Sequence, residues 1–137
     1  MINAKRCFQV VKIWYYIFMK KIDVDSIATS LSDFAKEREW DQFHSAKNLA
    51  MALNVEASEL LEIFQWMTEK ESDLICSDEK KKKQVEQEMA DIFLYLVRMA
   101  DKLDINLEAV ALEKIKLNAE KYPVEKSKGN SKKYNEL

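Results

Sequence analysis

The chain has 137 residues, 47% apolar and 34% charged, with a net charge of −2. That is one domain of ordinary size with material for its own core, too apolar to be disordered and too charged to be a membrane protein. The slightly negative balance argues against a general nucleic-acid binder, and one Gly and one Pro leave a sheet protein without its turns, so composition reads all-α.

The first segment, residues 7–19 (CFQVVKIWYYIFM), is apolar and aromatic. It falls short of the roughly 20 residues that a membrane-spanning helix needs. Lys5 and Arg6 imitate the start of an export signal, but Lys20, Lys21 and Asp23 stand where cleavage requires small residues. Residues 1–22 are therefore expected to form an apolar leader, either with the part before Met19 an extension upstream of a natural start there, or as an extra helix or arm on a subunit interface.

Asp23 is placed to cap a first helix running to about Glu39, with Ile27, Leu31 and Phe34 on one face. The link Trp40, Asp41, Gln42, Phe43 and His44 leads to Ser45, the expected cap of a second helix that the pattern carries to about Lys70 and makes the longest. Residues 71–78 are polar and form a connection. A third helix follows from about Asp78 to Leu103, opening on four lysines whose sign suits a solvated first turn better than a binding patch. Asn106 caps a fourth helix that Pro123 ends, and residues 124–137 form a polar, lysine-rich tail over the surface.

The second and third helices each carry a carboxylate, two residues and a second carboxylate: Glu56 with Glu59, and Glu88 with Asp91. Residues three apart share a helix face. At roughly 100° per residue, Glu56 falls among Leu49, Ala52, Ile63 and Met67, inside the apolar stripe, and Glu59 lies beside it. On the third helix Glu88 falls between Tyr95 and Met99, with Asp91 a step further round and Val85, Met89, Ile92 and Leu96 as the apolar centre. One such pair is common on a solvated face. The duplication, and a carboxylate within an apolar stripe, instead suggest that two helices pack with four carboxylates between them, a cage for a hard divalent cation. Glu62, at the stripe's edge, and Glu86, away from it, read as outer or solvated.

Other chemistries find little support. Cys7 and Cys76 lack metal-ligand spacing and read as buried or incidental thiols of a reducing cytoplasm. A single histidine, His44, denies the chain a histidine zinc site or the Glu-x-x-His pairs of a di-iron bundle. The only glycine, Gly129, cannot make a phosphate-cradling loop.

The acidic pairs on consecutive helices, with WDQFHSAKNLAMALNVEASELLEIFQW, then EQEMADIFLYL, then KLNAEKYPVEKSKG, resemble the all-α nucleoside triphosphate pyrophosphohydrolases of the MazG superfamily, and within it the deoxycytidine triphosphate pyrophosphatase branch. The resemblance runs from about Asp23 to the C-terminus. It implies a four-helix-bundle-like domain over residues 23–123, assembled as a dimer or tetramer in the cytoplasm, without nucleic acid or membrane as partner. It also implies Mg²⁺-dependent hydrolysis of a nucleoside triphosphate to monophosphate and pyrophosphate, with Mn²⁺ as a substitute ion. Metal-binding and catalytic roles carry over to Glu56, Glu59, Glu88 and Asp91; Glu59 is the first choice of general base because a residue on the stripe's edge can reach both metal and water. Substrate contacts carry over to Trp40, Asp41, Gln42, Phe43, His44, Trp66, Tyr95, Asn118, Lys121 and Tyr122, with Lys114 weaker. One departure is Leu31: the branch has a histidine near this point on the first helix, which bears on base selectivity and leaves the metal chemistry alone.

Two other readings stand beside this one. A phosphoribosyl-ATP pyrophosphohydrolase shares the helical scaffold, but the FQW and KYP segments disfavour it. A helical adaptor with acidic faces would carry its carboxylates outside, which the position of Glu56 argues against.

Overall fold

The computed structural model describes residues 22–136, which contain helices and no strand. The principal helices are α1 (Val24–Glu37), α2 (Ala46–Phe64), the short α3 (Glu69–Asp73), α4 (Glu79–Lys102), α5 (Leu107–Lys121) and α6 (Val124–Ser127). None of these is long and apolar enough to cross a membrane. The apolar stretch at residues 7–19 lies outside the described residues.

Each long helix begins where a side chain satisfies the free N–H groups of its first turn. Asp23 accepts from the Ser26 N–H at 3.0 Å, Ser45 from Asn48 at 3.2 Å, Asp78 from Lys80 at 3.0 Å and Asn106 from Ala109 at 2.9 Å. The second helix ends earlier than its pattern suggests, at Phe64 rather than near Lys70, and α4 is the longest. The cause is Thr68. Its hydroxyl accepts from the Glu71 N–H at 3.3 Å while the Glu71 carboxylate accepts from the Thr68 N–H at 2.8 Å, so the chain restarts there as α3. These bonds to Thr68 hold the Glu71 carboxyl below its ordinary pKa.

α4 is the spine. α2 packs extensively along it and α1 packs against it to a lesser degree. The core is small: Ala35 of α1, Leu49 of α2, and Val97 and Ala100 of α4, with Ile75 closing one end. Met89, expected at the apolar centre of its helix, is exposed instead, because the buried part of α4 lies toward its C-terminal half. Cys76 is likewise an exposed thiol rather than a buried one.

α5 stands apart. Every residue on it except Leu107 is exposed, including Val110, Leu112, Ile115 and Leu117. The tail folds back on its end, where Tyr134 meets Tyr122 edge-on at 6.2 Å.

The turn from α4 into α5 closes by two bonds, from the Asp104 N–H to the Asp101 carbonyl (3.2 Å) and from the Ile105 N–H to the Ala100 carbonyl (2.9 Å). That pattern needs a left-handed residue after the helix, usually glycine. Asp104 fills it at φ 54°. Asp104→Gly is therefore expected to stabilise the fold by about 0.5–1 kcal/mol, net of the extra chain entropy of glycine. Urea unfolding of the two proteins measures the difference.

Candidate active site

Packing α2 along α4 brings carboxylates from the two helices together. Oxygens of Glu56, Glu59 and Glu88 all lie within 4.8 Å of one another. Glu56 and Glu88 are half-buried and Glu59 is exposed. Asp91, one turn beyond Glu88, is exposed and lies outside this trio, yet its charge still reaches Glu56.

The electrostatics single out Glu56. Burial first, then the charges of Glu59, Asp91 and Glu88, push its carboxyl above its ordinary pKa. Three carboxylates at this spacing, two of them half-buried and one of those, Glu56, crowded by its neighbours, need positive charge. An all-oxygen donor set with no thiolate or imidazole suits a hard cation such as Mg²⁺.

A pH effect follows. A carboxyl that holds its proton more tightly when folded makes the folded chain bind more protons than the unfolded one, so stability falls as pH rises through that range. Without divalent cations, Glu56→Gln should therefore melt above the wild type at neutral pH, and the gap should close on acidification. Melting curves across a pH series check this, and a gap independent of pH would contradict it.

One cavity opens onto the cluster and a second borders Asp91. The first, of about 780 Å³, is lined by Glu59 and Glu88 together with Glu62, Trp66, Lys81 and Gln84 among others. The other, of about 560 Å³, is largely apolar and bordered by Asp91, with Leu31, Phe34, Trp40, His44 and Tyr95 in its wall. Both volumes fall in the range of small-ligand pockets, roughly 300–1,000 Å³. Trp66 is 89% exposed at the rim of the polar cavity. Trp40 is held edge-on against Phe34 at 5.8 Å and against His44 at 6.2 Å.

The residues of the Trp40 link do not all face this space. Gln42 gives its amide to the Glu39 carbonyl at 2.9 Å, and Phe43 is 58% exposed. The Asp41 carboxylate accepts from Arg98. His44 lies between the link and α4. Burial and the cations Arg98 and Lys102 hold its pKa below the ordinary value, against the opposing pull of Asp41. Asn118, Lys121 and Tyr122 sit at the far end of α5, where Lys121 lies 5.4 Å from the Tyr134 ring centre; none of the three lines either cavity.

Two residues of the site escaped the reading of the sequence. Lys81 lines the acidic cavity rather than only decorating a solvated turn, and its spacing of three and seven from Gln84 and Glu88 was the available signal. Arg98 is buried beneath the apolar cavity, and no local pattern announces its partners.

Comparison with known proteins gives this geometry a context. Residues 51–137 match the model of the MazG-like family. The human and rat proteins named dCTP pyrophosphatase 1 are each 33% identical to the chain over 99 residues, 72% of this chain and 58% of theirs. The bovine one is 34% identical over 99 residues. The chain thus spans 58% of the length of the human and rat relatives. The crystal structure of a pyrophosphatase from Archaeoglobus fulgidus superposes with a TM-score of 0.68 at 34% identity, covering 76% of this chain and 95% of that one. The family match over more than half of the chain, with relatives of this identity and the all-helical fold, shows that the chain belongs to the MazG-like family.

Proposed function

We propose that this protein hydrolyses nucleoside triphosphates to the monophosphate and pyrophosphate, with Mg²⁺ held by Glu56, Glu59 and Glu88 and by Asp91 at the cluster's edge. The observation that carries the proposal is the convergence of carboxylate oxygens within 4.8 Å beside a polar cavity that Glu59 and Glu88 line, with Asp91 bordering a second, apolar one. The polar cavity, with Lys81 and the cluster's carboxylates, suits a metal-bearing polyphosphate. The apolar one, with Trp40, Phe34 and Tyr95, suits a base.

When bound, Mg²⁺ supplies charge that neutralises phosphoryl oxygens and raises the acidity of water. The chain's own residues do the rest. Lys81 offers its ammonium to the phosphate chain. Glu59, the most exposed of the trio, is the carboxylate best placed to take a proton from the incoming water. Trp40 and Tyr95 flank the base. One water is consumed, and the bond between the α and β phosphates is the one that breaks.

The relatives named for dCTP suggest that nucleotide as the first substrate to test; a pool-clearing role in the cytoplasm is our own extension of the proposal. Leu31 turns hydrocarbon toward the base cavity, so the order of preference among bases is expected to depend on it. We further propose that the active form is a dimer or tetramer. The uncovered apolar side chains of α5 need a partner, and a second copy would also bring Asn118, Lys121 and Tyr122 to a site they do not reach within one chain.

The deciding experiment incubates purified protein with each ribo- and deoxyribonucleoside triphosphate, with and without Mg²⁺, and resolves the products. Monophosphate with pyrophosphate supports the proposal. Diphosphate with phosphate, or no turnover, refutes it.

A further inference from the structure

Arg98 is the one buried charged residue among those described, 5% exposed. It shares a face of α4 with Asp91, Leu94 and Tyr95, and all four border the apolar cavity. Its guanidinium is turned to fixed partners. One terminal nitrogen donates to Asp101 at 2.8 Å, the other donates to Asp41, and Nε donates to Nδ1 of His44 at 3.4 Å. Asp41 and His44 belong to the turn that carries Trp40, more than fifty positions away along the chain.

Arginine only donates hydrogen bonds, so the imidazole nitrogen facing it must accept. Nδ1 of His44 therefore carries no proton, and the ring's one hydrogen sits on Nε2. Burial, Arg98 and Lys102 all disfavour a second proton there, and Asp41 alone favours one. With Nδ1 committed to Arg98, Nε2–H is the donor that His44 keeps for a ligand in the cavity it lines.

Building on the nucleotide reading above, we propose that Arg98 is a positioning residue. It pins the Trp40 turn to α4 and fixes His44 as an Nε2–H donor, so that the cavity selects an aromatic ring carrying a hydrogen-bond acceptor on its edge. Lysine cannot replace it, because a point charge on a flexible stem lacks the fork that reaches all three partners at once. Without the fork, Asp41 loses its countercharge, His44 can exchange tautomers, and Trp40 loses its fixed stance against Phe34.

The test uses tag-free wild type, Arg98→Met, Arg98→Lys and Asp41→Asn. His44 is the only histidine of the chain, so its imidazole nitrogen signals in NMR identify themselves. The wild type should show a single neutral tautomer with the proton on Nε2. Arg98→Met should show mixed tautomers and a His44 that titrates at higher pH, with Arg98→Lys between the two. In turnover, each variant should raise KM for a nucleoside triphosphate about 10-fold while changing kcat far less, the signature of lost binding rather than lost chemistry.

Should Arg98→Met fail to fold, Asp41→Asn, at an exposed position, carries the same expectation for the tautomers and for KM, with His44 titrating at lower rather than higher pH because the Asp41 charge is gone. A wild-type proton on Nδ1, an imidazole spectrum that ignores Arg98, or a loss confined to kcat overturns the proposal. A wild type inactive on every triphosphate refutes the nucleotide reading alone, because the spectra still decide whether Arg98 sets His44.

Discussion

Glu56→Gln and Glu88→Gln are each expected to lose turnover by roughly 100-fold or more, since the metal's charge stabilisation is worth several kcal/mol and each 1.4 kcal/mol is tenfold. The substitutions are nearly isosteric and remove a charge that the fold does not need. Helix content should therefore be unchanged, and calorimetric titration should show weakened Mg²⁺ binding. Asp91→Asn provides a gradient. It stands outside the trio but within reach of Glu56, so its loss of Mg²⁺ affinity should be smaller than the others. Near-normal turnover in both glutamine variants would sink the cage.

The second large effect concerns the apolar cavity. Trp40→Ala removes an indole that Phe34 and His44 hold edge-on, and with it a stacking wall. Nucleotide binding should weaken by about 1–3 kcal/mol, the usual cost of deleting one base–aromatic stack. Inorganic tripolyphosphate has no base, so its competition with nucleotide for the polar cavity should survive the substitution. Inhibition constants for tripolyphosphate and for a nucleoside monophosphate, measured on both proteins, separate the two cases. Equal losses on both ligands would make Trp40 a structural residue only.

The all-α class and the starts of the helices were legible because they rest on local chemistry. Scarcity of glycine and proline, and a capping side chain ahead of each apolar pattern, act within a few residues. The acidic pairs were legible for the same reason, since a spacing of three fixes a shared face wherever the helix packs. The end of α2 was misjudged although its signal was also local. Thr68 and Glu71 form a capping box inside a run that still looked periodic. Met89 failed for a different reason. Periodicity gives a helix its apolar stripe, but not which length of that stripe its neighbours cover, and α1 and α2 leave the Met89 position open.

Arg98 was the least legible residue of all. A lone cation in the run from Ile92 to Ala100 reads as a side chain reaching for water, and the partners that bury it lie on a turn whose placement depends on the whole fold. Sequence spacing identifies groups that share a helix face. It does not identify a bond between a helix and a distant turn.

The indole of Trp66 stands in water at the rim of the carboxylate cavity. Its excited state therefore relaxes against mobile solvent dipoles and emits toward the red, while Trp40, wedged between Phe34 and His44, is better shielded. Any molecule that settles over the cavity, whether a nucleotide or another copy of the chain, strips that solvent from Trp66 and moves its emission to the blue. Trp66, one of three tryptophans in the chain, would thus report occupancy of the proposed site without a label.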